Sequence, residues 1–551
     1  KKDSAENLKE RVLKRYGEEI KDRFISLTYD AFFKSIVDHF IYSLPVNCRP
    51  NINYVIADDN MINEAFKKAA NKNINLDRSI IKNENKKINS VTLPLDENSL
   101  EGKVWNYLLK GFDNNEAAIT FSMITKLATY IVGTNPMIKR AIQATYSYVF
   151  LDEFQDTTEL QYLFLKSCFK DSKSIITAVG DYKQRIMVWA GALKTVFDDF
   201  RSDFNADDFN LIMNYRSAPR LVSLQKAMYG ILNESQSYVG TSDKWNDDDG
   251  CVKLLMSKNE LQESQNVVES IKENISDGMD LKDICILCKQ KIKDYTSQII
   301  IDLQNEGIRA RDEGEYQEQL SEPIVNLILN FLKLSVNRKS PDEWINLETE
   351  YIAIMDETDE NQDDIYRDCI YKLDCKLKEI NKYLKLPLDI NKFNYMIDNI
   401  IDFFNIDRIK ARYITYKQGD YFNKTITKFK DLFWEEYKYA ELNMIKAIEG
   451  FRGLYSIPIM TIHKSKGLEY SAVYFIGLED DAFWNYNNQQ DEDRCTFFVA
   501  ISRAKKFLMF TFCEHRKNTK NPIQKTEKIE EFYDLLSESK VAEKIDKRDC
   551  V

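Results

Sequence analysis

The sequence predicts an α/β protein: two parallel, doubly wound sheets, each interrupted by an inserted helical segment. Three observations carry that expectation. Short apolar runs with strand character recur at Tyr148–Leu151, Ile175–Val179, Leu211–Met213, Val252–Met256, Ile284–Leu287, Ile457–Ile462, Val473–Ile476 and Phe507–Phe512. Helical patterns separate them, and strand–helix alternation is the signature of a parallel sheet. From about Glu322 to Leu454 the pattern turns helical and highly charged before strands return, which reads as one domain inserted in another.

Composition narrows the class. A chain of 551 residues is too long for one core and implies three or four domains. Hydrophobic content of 44% with 12% aromatics is globular. No apolar run approaches the ~20 residues of a membrane span and no signal peptide is visible, so no membrane partner is expected. The 10 cysteines are scattered. Cys285 and Cys288 form the one CxxC, and they read as strand residues rather than half a zinc site, because no second pair complements them. Unpaired cysteines suit a reducing cytoplasm, the expected location. The net charge of −11 argues against a surface coated with nucleic acid, yet leaves room for a local basic or aromatic groove.

Along the chain, a charged helix (Ala5–Tyr16) and a short strand (Phe24–Thr28) are followed by a polar, Asn- and Lys-rich helical stretch to about residue 115. Loops are expected at Asn47–Asn53 and Asn83–Asn89. A single amphipathic helix is expected within Ile119–Thr145. The acidic run Asp356–Asp364 reads as a solvated face, and the tail after Arg516 as charged and helical. The chain opens on Lys1 rather than Met, so it is expected to begin inside, or after processing of, a longer protein.

Chemistry concentrates at strand ends. Tyr148–Leu151 reads as a strand buried on both faces, leading into Asp152-Glu153-Phe154-Gln155-Asp156. Ligands bind beyond the carboxyl ends of such strands. There Asp152 can hold Mg²⁺ and Glu153 can polarise a water that attacks a phosphate. The alternative is that the acids cap the helix after Thr157-Thr158. Val179-Gly180-Asp181-Tyr182-Lys183-Gln184 ends in a side chain able to orient a water or a γ-phosphate oxygen, and Trp189 offers a face for a base or simply packs. Asn214-Tyr215-Arg216-Ser217 supplies a ring for a nucleobase and a guanidinium for phosphate. Thr461-Ile462-His463-Lys464-Ser465-Lys466-Gly467-Leu468-Glu469 allows close backbone approach to phosphates at Gly467, and Glu469 can accept from a ribose hydroxyl. The segment Glu492–Ala504 reads as a helix with Arg503 at its exposed end, where a cation can stabilise a transferring phosphate or form a surface ion pair.

DEFQD, VGDxxQ with WxGA, NYRS, TIHKSKGLEY and VAISRAKK occur in this order, and the set resembles the UvrD/Rep (PcrA-like) family of superfamily 1A DNA helicases over nearly the whole chain. Ser4–Arg11 resembles the tail of the family's motif Ia, and Thr28-Tyr29-Asp30-Ala31-Phe32 its motif Ib. The resemblance implies two RecA-like domains, 1A (residues 1–33 and 116–215) and 2A (216–325 and 455–535), with helical insertions 1B (34–115) and 2B (326–454) and a charged tail (536–551). It implies an ATP-dependent, 3′ to 5′ DNA translocase acting on single-stranded or tailed duplex DNA, with ATP held between the two RecA-like sheets. Asp152 would hold Mg²⁺, Glu153 act as base, Gln184 sense the γ-phosphate, and Arg216 and Arg503 be the arginine fingers. Tyr215 would stack on adenine, with Gly467 and Glu469 completing the nucleotide contacts. Trp189, Thr461, His463 and Thr28 would line the DNA strand.

Departures from the family are equally specific. No GxxxxGK(S/T) occurs, and Gly191-Ala192-Leu193-Lys194-Thr195 lacks its first glycine; in the family this phosphate loop precedes motif Ia, so it is expected upstream of Lys1. Arg185, Met187, Ala190 and Cys495 replace the family's usual Ser, Tyr, Arg and Arg. The insertions look short, as in compact UvrD-like helicases that work beside a nuclease, including those of phage defence. The alternative reading is therefore a DNA-sensing ATPase subunit that gates a separate nuclease with little unwinding.

Overall fold

The computed structural model describes residues 8, 11–13, 15–17, 20, 23–70, 89–113, 115–232, 239–355, 362–417, 420–517 and 519–549. They fall into two compact units: Lys1–Gly180 with Ala190–Asp208 and Asn405–Thr425, and Asp181–Trp189 with Phe209–Phe404 and Ile426–Val551. Most of Ser4–Arg11, residues 83–88 of the expected Asn-rich loop, and residues 356–361 of the acidic run lie outside the described residues.

In the first unit, strand β1 (Val55–Ile56) pairs in parallel with β2 (Ala118–Ile119), and β3 (Tyr148–Leu151) pairs in parallel with β4 (Ile175–Ala178). The core is largely helical. Tyr29–His39, Phe121–Thr134 and Glu159–Phe169 pack through Phe33, Ile124, Leu127 and Phe164, with the Phe33 and Phe164 rings 4.6 Å apart. Each helix starts on a threonine whose side chain accepts a backbone N–H: Thr28, Thr120 and Thr158.

Three expectations are corrected in this unit. Tyr148–Leu151 is not covered on both faces: Tyr148 and Phe150 are each 65% exposed, while Val149 and Leu151 join the core. Ile175 is likewise exposed and Ile176 faces inward, so β3 and β4 follow the period of two of a sheet with one packed face. Phe24–Thr28 forms no strand; it runs as irregular chain into the helix that Thr28 caps. The helix expected within Ile119–Thr145 is two helices, Phe121–Thr134 and Pro136–Thr145. Pro136 cannot continue the first but suits the opening turn of the second, which Asn135 caps.

The second unit is built on a seven-stranded, all-parallel sheet. A short pair, β5 (Met213–Asn214) and β6 (Gly240–Thr241), precedes it. Its strands are β7 (Cys251–Asn259), β8 (Ile284–Cys288), β9 (Ala310–Asp312), β10 (Ile457–Thr461), β11 (Tyr470–Ile476), β12 (Ala504–His515) and β13 (Ala542–Asp546), in the spatial order β13-β7-β12-β11-β8-β10-β9. Interior strand β8 is buried at every residue, Cys285 and Cys288 included. The tail is not wholly helical: after the helix Glu530–Glu538, β13 pairs with β7 at the sheet edge, its exposed Glu543 and Lys544 suiting an edge strand. Between β9 and β10 run the helices of the insertion, Glu313–Leu320 through Met444–Phe451, of which Asn405–Thr425 belongs to the first unit.

Candidate functional site

In the first unit the chain turns sharply after β3. Val179 N donates to Leu151 O at 2.8 Å and Phe154 N to Val179 O at 2.9 Å, so the turn is tied to the end of β4. Between those bonds Glu153 adopts a left-handed backbone, φ 52° and ψ 40°. For a residue with a side chain that conformation costs about 1 kcal/mol or more and is kept only where the surroundings enforce it. Those surroundings are specific. Asp152 Oδ1 accepts from Glu153 N at 2.9 Å, and Gln155, 1% exposed, donates from Nε2 to Glu153 Oε2 at 2.5 Å. Phe154 is buried edge-on against Phe197 and Phe200. Gly180 permits this closeness, since a Cβ there would sit 2.3 Å from Gln155 Oε1 and 2.8 Å from Phe197 Cζ.

The capping alternative for the acids is overturned. Thr158 caps the next helix, in a reciprocal capping box with Gln161. Asp152 is exposed at the end of a parallel strand, and a lone carboxylate suits Mg²⁺, which one or two carboxylates hold while waters and substrate phosphates complete its shell. Among the described residues no group of three or more His, Cys, Asp or Glu gathers as a protein-only metal cage. Gly191–Thr195 does not form a phosphate cradle: Ala192 bridges to Thr158, Leu193 N donates to Thr157 O, and Thr195 Oγ1 donates to Asp199.

In the second unit Gln184, Arg216, Glu469 and Arg503 come together around Ser502. Asn214 Oδ1 accepts from the backbone N–H of both Arg216 and Ser217 at 3.0 Å, folding the loop after β5. The buried Ser217 hydroxyl donates to Ala504 O at 2.8 Å, and Ala218 N donates to Lys505 O at 2.8 Å, which stitches the loop to the start of β12. Arg216 then reaches Glu469 Oε2 through Nε (2.7 Å) and Ser502 O through Nη1 (2.9 Å).

Arg503 is not at an exposed helix end; it is 1% exposed. It is the C-cap of Gln490–Ser502, and its guanidinium folds back along the terminus to donate to Val499 O at 3.1 Å. The last carbonyls of a helix lack intrahelical partners and carry the negative end of its dipole, so a cation satisfies both. Further bonds run to Leu468 O (3.1 Å), Ser502 Oγ (2.8 Å) and Gln184 Oε1 (2.9 Å). Gln184 is held in turn by Asp181 Oδ2, and its carbonyl accepts from Lys466 at 3.1 Å. Gly467 has φ +87°, which a side chain would strain, and Tyr215 is 68% exposed.

Of the residues expected on a DNA strand, Thr28 belongs to the first unit and Trp189, Thr461 and His463 to the second. Thr461 ends β10 beside Cys288 of β8, and His463 follows in the next turn. Its neighbour Lys464 donates to Glu318 at 2.8 Å. Trp189 is 70% exposed. Thr28 lies in the first unit and uses its hydroxyl oxygen to cap a helix through Ala31 N, at 3.2 Å. Sequence reasoning missed Gln155, Ser502 and Lys505, the last lying 2.9 Å from Glu469 Oε1. All three sit inside the recognised motifs; only their partners reveal what they touch.

Two family models match consecutive stretches of the chain: the UvrD/REP helicase N-terminal domain over residues 2–205 and the UvrD-like helicase C-terminal domain over residues 209–515. The chain belongs to the UvrD/Rep helicase family. It is 24% identical over 563 residues to the ATP-dependent DNA helicase Rep of Buchnera aphidicola subsp. Acyrthosiphon pisum, covering 90% of this chain and 84% of that protein. To the Rep of Buchnera aphidicola subsp. Schizaphis graminum it is 24% identical over 573 residues, covering 93% and 85%. A putative ATP-dependent DNA helicase of Bacillus subtilis, YjcD, is 24% identical over 418 residues, 69% of this chain and 54% of that protein. The parallel sheets and inserted helices described above agree with the RecA-like domains and accessory insertions of this family.

Proposed function

We propose that this UvrD/Rep-family protein is an ATP-dependent DNA translocase and helicase moving 3′ to 5′ along single-stranded DNA. The observation that carries the reading is the convergence of two arginines on Ser502, one also bonded to Gln184 and the other to the Glu469 carboxylate. Phosphoryl transfer needs little covalent help from a protein; positioning and charge stabilisation supply most of the rate, and arginines are the usual donors. In this reading Arg216 and Arg503 neutralise charge on the γ-phosphate and Gln184 orients its oxygens. Tyr215 stacks on the base, and Gly467 lets the backbone approach the nucleotide.

Asp152 would hold Mg²⁺, which when bound neutralises phosphate charge. Glu153 takes the proton of the attacking water, and the Gln155 amide fixes the carboxylate for that task. Trp189, Thr461, His463 and Thr28 line the path of the strand, with Trp189 stacking on bases. Substituting Arg503 by Ala is expected to lower kcat on the order of 10³-fold.

Strand displacement on 3′-tailed and 5′-tailed duplexes tests the activity. The reading predicts ATP-driven unwinding of the 3′-tailed substrate by the protein alone. Hydrolysis without displacement, with unwinding or cleavage appearing only when a separate nuclease is added, would instead support a regulatory subunit.

A further inference from the structure

We propose that Lys505 and Glu469 are positioning residues for Arg216: Lys505 anchors the Glu469 carboxylate, and the carboxylate fixes the plane of the Arg216 guanidinium. The proposal rests on reading Arg216 as a phosphate-contacting arginine. Glu469 divides its oxygens between two cations, Oε2 accepting from Arg216 Nε at 2.7 Å and Oε1 lying 2.9 Å from Lys505 Nζ. Although partial burial alone would raise its pKa, hydrogen bonds from Lys505 and Arg216 hold Glu469 at about 2, so it stays ionised.

Arg216 is held by Nε and by Nη1 on Ser502 O, and two bonds fix a planar guanidinium where one would let it swing. Nη2 takes part in neither bond and remains for an anion. Lys505 acts on the same arginine twice, because its carbonyl also accepts from Ala218 N and so pins the loop that carries Arg216. The three side chains are 31–45% exposed, and ion pairs at such sites add little to stability. What the arrangement secures is aim. A misplacement of about 1 Å in a group acting on the transition state costs roughly 10²-fold in rate.

Steady-state ATPase assays with single-stranded DNA, on the full-length protein and its variants, test this beside thermal melting. Arg216→Ala is expected to lower kcat by at least about 100-fold. Lys505→Ala should lower kcat roughly 10-fold with KM for ATP within about twofold and the melting temperature unchanged. Lys505→Arg should restore most of the rate. In the Arg216→Ala background Lys505→Ala should cost nothing further, because both act through one group. An unchanged kcat in Lys505→Ala, or a further loss in that background, would overturn the proposal while leaving Arg216 as a phosphate contact. Glu469→Gln raising KM for ATP but not for 2′-deoxy-ATP would also overturn it, making Glu469 a ribose contact instead. If Arg216→Ala hydrolyses ATP normally, the reading of the site fails and the proposal with it.

Discussion

Glu153 keeps a left-handed backbone because Gln155, Phe154 and Gly180 leave it no other place. Replacing Gln155 with Leu keeps the volume and removes the bond to Glu153. The expected result is a kcat lower by about tenfold at unchanged KM, since an unaimed base still meets the water in part of its orientations. Gly180→Ala inserts a Cβ where Gln155 and Phe197 already sit and should destabilise the first unit by about 1–3 kcal/mol, read by denaturant titration. A second residue-scale effect concerns Glu479. Burial pushes its carboxyl up to about 8, despite the neighbouring Arg516, which also faces the buried Glu263. One guanidinium cannot neutralise two buried carboxylates, so folded Glu479 holds a proton that the unfolded chain releases near its ordinary value of about 4.3. That stability is complete below the unfolded value and is lost as pH rises through about 8. The urea midpoint should fall between about pH 5 and 8, and Glu479→Gln should flatten the slope. At this scale the sequence named Asp152, Glu153, Gln184, Arg216 and Arg503 from residue type and order alone. It could not show that Arg503 turns inward, because that depends on how a helix end satisfies its own carbonyls.

Among elements, the junction between sheet and inserted helices rests on Glu436, which is 1% exposed. It accepts from both terminal nitrogens of Arg309 at 2.5 Å and from Arg311 Nη1 at 3.2 Å, while Arg311 also donates to the carbonyls of Gly450 and Phe451. Edge strand β9 is thereby fastened to the helices Tyr421–Tyr439 and Met444–Phe451. Removing a buried carboxylate strands the arginines, so Glu436→Ala should cost about 3–5 kcal/mol in the second unit, measurable as an early thermal transition. The apolar runs of β7, β8, β10, β11 and β12 made those strands legible in advance. Strands β9 and β13 were not, because short edge strands carry charged residues and read as loop or helix. For β3 the four-residue apolar run was legible, but its exposure was not: alternating inward and outward apolar residues look the same in sequence as residues buried on both faces.

Taken as a whole molecule, the chain carries a net charge of −11, so in the proposed reading its affinity for DNA comes from local features such as Trp189 rather than from its overall field. The helicase family was legible because five motifs in fixed order are far more specific than any one, and the two matched family domains span residues 2–205 and 209–515. The supporting residues Gln155, Ser502 and Lys505 were not, because their roles exist only through partners distant in sequence or set by a local turn. The most direct measurement is DNA-stimulated ATP hydrolysis by the full-length protein and its Glu153→Gln variant, with binding to single-stranded DNA followed in parallel. Hydrolysis should depend on DNA and fall by about 10²-fold or more in the variant while DNA binding persists. A Glu153→Gln protein that hydrolyses ATP at the wild-type rate would contradict the account.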